Sequence, residues 1–126
     1  MVHEHYIEQD VGSWSSQDTR VFYRTQSGVE VVRDWLRSLN DADRRAVGLD
    51  LMRVQYRWPM GMPLCRALGD GLWEVRTSLP SKRIARILFS AQQGRILVLH
   101  AFIKKTQKTP ADDLALARRR NREFEN

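Results

Sequence analysis

Cys65 is the only cysteine among 126 residues, so no internal disulfide can form, which fits a reducing cytosol. With only three scattered histidines beside it, the chain lacks the spaced ligands of a structural zinc site. No apolar run approaches the roughly 18–20 residues needed to span a bilayer. The N-terminal stretch carries His3, Glu4, His5, Glu8 and Asp10 where a signal peptide would have its apolar segment, so no secretory leader is expected. Internal repeats, low-complexity segments and carboxylate clusters are also missing. What remains is the length of one domain, with 42% hydrophobic residues to build one core.

The charge is unevenly placed. The formal net charge is +6, yet residues 1–65 hold eight arginines against nine acids. Residues 66–105 hold Arg66, Arg76, Lys82, Arg83, Arg86, Arg95, Lys104 and Lys105 against only Asp70 and Glu74. That stretch therefore carries the whole excess. Concentrated positive charge is the footprint of a polyanion partner, nucleic acid first; the plainer reading is a solvated basic face.

Periodicity orders the chain. Residues 1–18 are polar and without a period, and read as a loose extension preceding a domain over 19–126. "RVFYRT" (Arg20–Thr25) reads as a short first or edge strand. Ser27 and Glu30 have capping-box spacing, which predicts a helix carrying Val29, Val32, Leu36 and Leu39. Asn40 or Asp41 starts a second helix with Val47, Leu51, Val54 and Trp58 on one face, ended by Pro59, Gly61 and Pro63. The short link predicts a helical hairpin. "LCRAL" is a possible short strand, and "LWEVRTSL", "KRIARILFS" (Lys82–Ser90) and "RILVLHAFI" read as three strands joined by tight turns, hence antiparallel. The last is apolar on both faces and is placed centrally. "TPAD" predicts a C-terminal helix with Thr109 as its cap and Pro110 in its first turn. The order is β-α-α-β-β-β-β-α, an α+β domain.

Basic residues at a strand end and in the loop after it suit two tasks. One is phosphate binding, where Lys and Arg supply affinity and register. The other is phosphodiester cleavage in RNA. There a base takes the 2′-OH proton, cations stabilise the charge gathering on phosphorus, and an acid protonates the leaving 5′-oxygen. A lysine crowded by cations can serve as base, whereas an arginine keeps its proton and suits the transition-state charge. Neither task requires a metal or another cofactor.

The motifs "LGDGLWEVR", "RIARILF" and "ILVLHAFIKKTQKTP" resemble the pattern of the phage-derived Gp49-like, HigB-type toxins of the RelE/ParE superfamily, from about Arg20 to Phe124. The resemblance implies a compact RelE-like fold: a helical hairpin packed on an antiparallel sheet, with a C-terminal helix. It implies a type II toxin that cleaves mRNA, usually in the ribosomal A site, held in check by a cognate antitoxin, often a helix-turn-helix protein, in a hetero-oligomer. It further implies that Arg76 binds phosphate and stabilises the transition state, and that Arg86 is a second arginine near the site. Lys104 and Lys105 become base, acid or phosphate clamp, and His100 the motif histidine. Arg66, Lys82, Arg83 and Lys108 join His100 as RNA contacts. The chain departs from several superfamily ribonucleases in having no tyrosine after Lys105, where Phe124 is the only aromatic.

Alternatives stand beside these roles. The ParE branch of the superfamily poisons DNA gyrase without cutting RNA, and a pure binding module would use the same cations without turnover. His100 reads as a satisfied core histidine, Arg86 as an outward strand arginine, and Trp73 as packed on the helices or stacked on RNA. The run Arg118–Arg120 reads as a solvated helix end or a contact to ribosomal RNA or an acidic partner.

Overall fold

The computed structural model describes residues 19–125, so the expectation of an extension over residues 1–18 lies outside it. Eight elements follow one another: β1 (Thr19–Phe22), α1 (Val31–Arg37), α2 (Asp41–Arg57), β2 (Cys65–Gly69), β3 (Leu72–Ser78), β4 (Ile84–Gln92), β5 (Arg95–Ile103) and α3 (Ala111–Glu125). This is the α+β order expected from periodicity. No helix among the described residues is long and apolar enough to cross a membrane.

The sheet runs β1-β5-β4-β3-β2. Strands β2 to β5 form the expected antiparallel meander, but β1 lies parallel to β5, so the sheet is mixed. The reason is topological. Two helices separate β1 from β2, so no hairpin turn dictates its direction, and it takes the free edge of β5. That makes β5 an interior strand, while β4 occupies the middle of the sheet.

Strand alternation sends side chains to two layers. One face carries Val75, Ile87, Phe89, Ile96 and Val98 against Val32, Val47, Leu51 and Val54 of α1 and α2. The other carries Leu72, Leu88, Leu97 and Leu99 against Ala117 and Leu114 of α3. Trp58, at the end of α2, meets Trp73 and Phe89 edge-on at centroid distances of 4.9 and 5.3 Å. Trp73 thus packs beneath the helices. Cys65 is fully buried, and burial together with the charge of Asp50 pushes its thiol pKa up to about 11. It is inert while the fold holds.

The helix starts differ in how closely they follow the sequence. Asn40 caps α2 as expected, its Oδ1 accepting from the Asp43 amide at 2.8 Å. The capping box at Ser27 and Glu30 does not form. Thr25 Oγ1 instead accepts from the Val29 amide at 3.0 Å, and Gly28 turns the chain at φ +94°. Helix α1 begins only at Val31, Val29 is left 42% exposed, and Glu30 pairs with Arg33 and Arg24.

One irregularity matters for the site. Leu88 faces His100 and Phe89 faces Val98, so β5 carries an extra residue, Leu99, at this point. The bulge reverses the alternation of the strand. Leu99 packs beneath α3, and the ring of His100 also reaches that helix.

Candidate nucleic-acid interface

The strand register decides which cations share a face. Arg76 pairs with Arg86, and Arg86 with Phe102, in one cross-strand row. Parity places this row on the face that α3 covers further along. The ladder continues past β5, where the Lys104 amide donates to the Ile84 carbonyl at 2.7 Å. Arg76, Arg86 and Lys104 therefore belong to the same face at the same end of the sheet.

The two arginines differ in environment. Arg76 is exposed and, among the described residues, makes no ion pair or side-chain hydrogen bond. Arg86 is only 1% exposed, which corrects its reading as an outward strand arginine. Its Nη2 donates to the Gln107 carbonyl at 2.7 Å, and its Nε lies 3.6 Å from Glu74 Oε2. Glu74 is itself 2% exposed and accepts from Thr109 Oγ1 at 2.8 Å. Among the described residues, Arg86 Nε and Nη1 have no hydrogen-bond partner. Like charges opposed across strands repel, and the neighbouring Glu74 carboxylate offsets the Arg76–Arg86 pair. The physical role of Arg86 is to hold the loop after β5 from below. Thr109, expected to cap α3, turns its hydroxyl to Glu74 instead, and the helix begins at Ala111.

Ahead of this buried network lies an open groove of about 460 Å³. Lys104, Lys105, Thr106 and Gln107 form one lip, and Lys82 and Arg83 form the other. Sequence periodicity puts Lys82 and Arg83 inside β4, but they belong to the turn before it. The Lys82 amide donates to the Leu79 carbonyl and the Leu79 amide to the Arg83 carbonyl, both at 2.9 Å. Lys82 adopts φ +69°, outside the extended region of regular strand backbone. Among its described lining residues the groove has cations on both lips and no acid between them, a lining whose charge suits an anionic chain.

A third buried group holds the second lip. Asp43 of α2 is fully buried and accepts from the Ser81 amide at 3.1 Å, the Ser81 hydroxyl at 2.7 Å and Arg83 Nη2 at 3.3 Å. Burial pushes its carboxyl pKa up, but the Ser81 hydrogen bonds and the Arg83 guanidinium outweigh that, and the net shift is downward. The stabilisation is then complete above the unfolded value of about 4. It is lost as pH falls through the lower folded value. Asp43→Asn should flatten this acid limb in thermal melts taken from neutral pH downward. An unchanged acid limb in the variant would show that the carboxylate is not the anchor.

The remaining candidates are dispersed. Arg66 is exposed on the edge strand β2, opposite Glu74 in the register. Lys108 is exposed, and its carbonyl accepts from Thr106 Oγ1 at 2.7 Å, which tightens the loop. His100 is bound to α3: Nε2 lies 2.6 Å from Asp113 Oδ1, and Nδ1 lies 3.5 Å from Arg120 Nη1. An arginine can only donate, so Nδ1 is the acceptor and Nε2 carries the hydrogen. This is the satisfied histidine of the plainer reading. The arginine run is also largely absorbed by the fold. Arg118 donates to the Leu68 carbonyl at 3.3 Å, and Arg120 caps the bulge carbonyl of Leu99 at 2.9 Å while lying over the Tyr23 ring. Tyr23 in turn donates to Glu123 at 2.5 Å; that bond, then burial, raises its phenol pKa.

Asp43, Ser81, Glu74 and Thr109 are the supports beside the groove that sequence reasoning missed. Glu74 alternates with Trp73 and Val75 and so reads as solvent-facing. Asp43 follows Asn40 at the local spacing of a helix start, with nothing to indicate a partner 38 positions on. Among the described residues, no group of three or more His, Cys, Asp or Glu side chains comes together as a metal site.

Residues 34–122 match a family model described as phage-derived protein Gp49-like (DUF891). No curated protein matches the chain. The matched span is most of the chain and includes α2, the whole β2–β5 meander, the groove and both buried anchors. By this match the chain belongs to the Gp49-like family of phage-derived proteins, a RelE/HigB-like toxin family.

Proposed function

We propose that this protein is the toxin of a type II toxin–antitoxin pair and acts in the cytoplasm as an mRNA endoribonuclease on translating ribosomes. The observation that carries the reading is the register that brings Arg76, exposed and unpaired among the described residues, onto the same face and sheet end as Lys104 and the cationic groove. Family membership supports the toxin class.

The chemistry assigned to the groove is in-line attack of an RNA 2′-oxygen on the adjacent phosphorus. Lys104 takes the 2′-OH proton. Arg76 faces the non-bridging oxygens, where charge builds up in the transition state. The bond from phosphorus to the 5′-oxygen breaks, and that oxygen takes a proton from Lys105 or water. The products are a 2′,3′-cyclic phosphate and a 5′-hydroxyl. Arg83 lines the opposite lip of the groove. Arg86, Glu74 and Thr109 touch no substrate in this scheme; they position the loop that carries both lysines. A cognate antitoxin, a helix-turn-helix protein in the pattern of the family, neutralises the toxin by binding it.

The test is induction of the chain in cells without the antitoxin, with transcripts and the DNA-damage response followed together. Cleaved transcripts without DNA damage are expected. DNA damage with intact transcripts would replace this reading with gyrase poisoning, and growth arrest with neither would leave only a binding module.

A further inference from the structure

The turn between β3 and β4 is built in a way that its own closure does not require. Lys82 occupies the left-handed region at φ +69°. Glycine or asparagine is the usual choice there, because a long side chain strains the backbone without helping the turn. Such strain persists only where the surroundings over-determine it, and it concentrates at functional positions. The surroundings here are specific. Asp43, fully buried in the first turn of α2, takes two hydrogen bonds from Ser81 and one from Arg83, the residues on either side of Lys82. The clamp holds both neighbours and leaves Lys82 exposed on the groove, where among the described residues it has no ion pair or side-chain hydrogen bond.

We infer that Lys82 contacts a backbone phosphate of single-stranded RNA, and that Asp43, through Ser81 and Arg83, is the positioning residue that fixes this contact across the groove from Lys104 and Lys105. The inference rests on the RNA reading above and adds a register element that lies outside the Arg76–Lys104 row. Its partner chemistry is the ribose-phosphate backbone rather than the bases, since the groove walls carry cations and no aromatic ring on which a base could stack.

Glycine at position 82 makes the test sharp, because stability and binding should move in opposite directions. Lys82→Gly relieves the strained conformation, so the variant should melt at or above the wild-type temperature. Its affinity for a short unstructured RNA oligonucleotide should nevertheless fall several-fold, and the slope of log affinity against log salt should shrink by about 0.7, the value for one phosphate contact on a single strand. Asp43→Ala should weaken binding to a similar extent, and the double variant should bind no worse than Lys82→Gly alone. If Asp43→Ala does not fold, Ser81→Ala supplies the same comparison. Wild-type affinity and slope in Lys82→Gly would overturn the inference and leave the RNA reading in place. Wild-type binding in Asp43→Ala would remove the positioning role. A wild-type protein with no salt-dependent affinity for RNA would instead overturn the RNA reading and this inference with it.

Discussion

Arg76→Ala should leave the fold intact and lower RNA cleavage by two to three orders of magnitude, about 10²–10³-fold. Both halves of that result follow from the environment of Arg76. Its side chain is exposed and has no ion pair or side-chain hydrogen bond among the described residues, so truncation breaks no internal contact. Surface changes of that kind stay within about 0.5 kcal/mol of neutral. The loss of activity comes from the reaction. Negative charge on the phosphoryl oxygens grows as the 2′-oxygen attacks, and a fixed cation there favours the transition state over the ground state. Arg76→Lys should recover only part of the rate, since a lysine offers a point charge in place of the planar fork. Thermal melting beside single-turnover cleavage separates the two effects. A variant that melts early and cleaves poorly would point to a structural role.

The largest loss of stability is expected at the opposite member of the row. Arg86 and Glu74 are 1% and 2% exposed, so removing either leaves the other as an uncompensated buried charge. Breaking a buried pair in this way costs about 3–5 kcal/mol. For a domain of this size the melting temperature should then drop by at least about 10 °C. Arg86→Met combined with Glu74→Gln should regain most of that loss, because a buried pair repays its desolvation poorly and two Arg86 nitrogens already lack partners among the described residues. Activity should not return with stability. The double variant still lacks the donor that holds the Gln107 carbonyl, and so the loop bearing Lys104 and Lys105 is no longer seated. Recovery of both stability and cleavage would mean that Arg86 does not position the loop.

Most of the fold was legible from local pattern. The change from helical spacing at Val47, Leu51 and Val54 to alternation at Trp73, Val75 and Thr77 marked the passage from helices to sheet. Asn40 announced its helix because a cap acts within one turn. Features set by distant partners were not legible. The parallel placement of β1 depends on which sheet edge is free. The capping box at Ser27 lost to a competing turn at Thr25, and the extra residue at Leu99 leaves no mark in an apolar run.

The site divides in the same way. The cations Arg76, Lys104 and Lys105 are legible because charge at a strand end is visible in one dimension, and the family pattern points to the same residues. Their supports were not found. Glu74 looks solvent-facing because alternation cannot tell a face open to water from one covered by the loop after β5. Thr109 looks like a cap until its hydroxyl is seen to reach Glu74. Arg86 reads as outward-facing for the same reason as Glu74, whereas the structure buries it against the Gln107 carbonyl.

The most direct test of RNA cleavage is to map transcript 5′ ends after brief induction, with the wild type beside Arg76→Ala. New 5′ ends inside translated reading frames, present with the wild type and absent with the variant, are the expected result. Growth arrest by the wild type with its transcripts intact, or the same cuts from the Arg76→Ala protein, would contradict it.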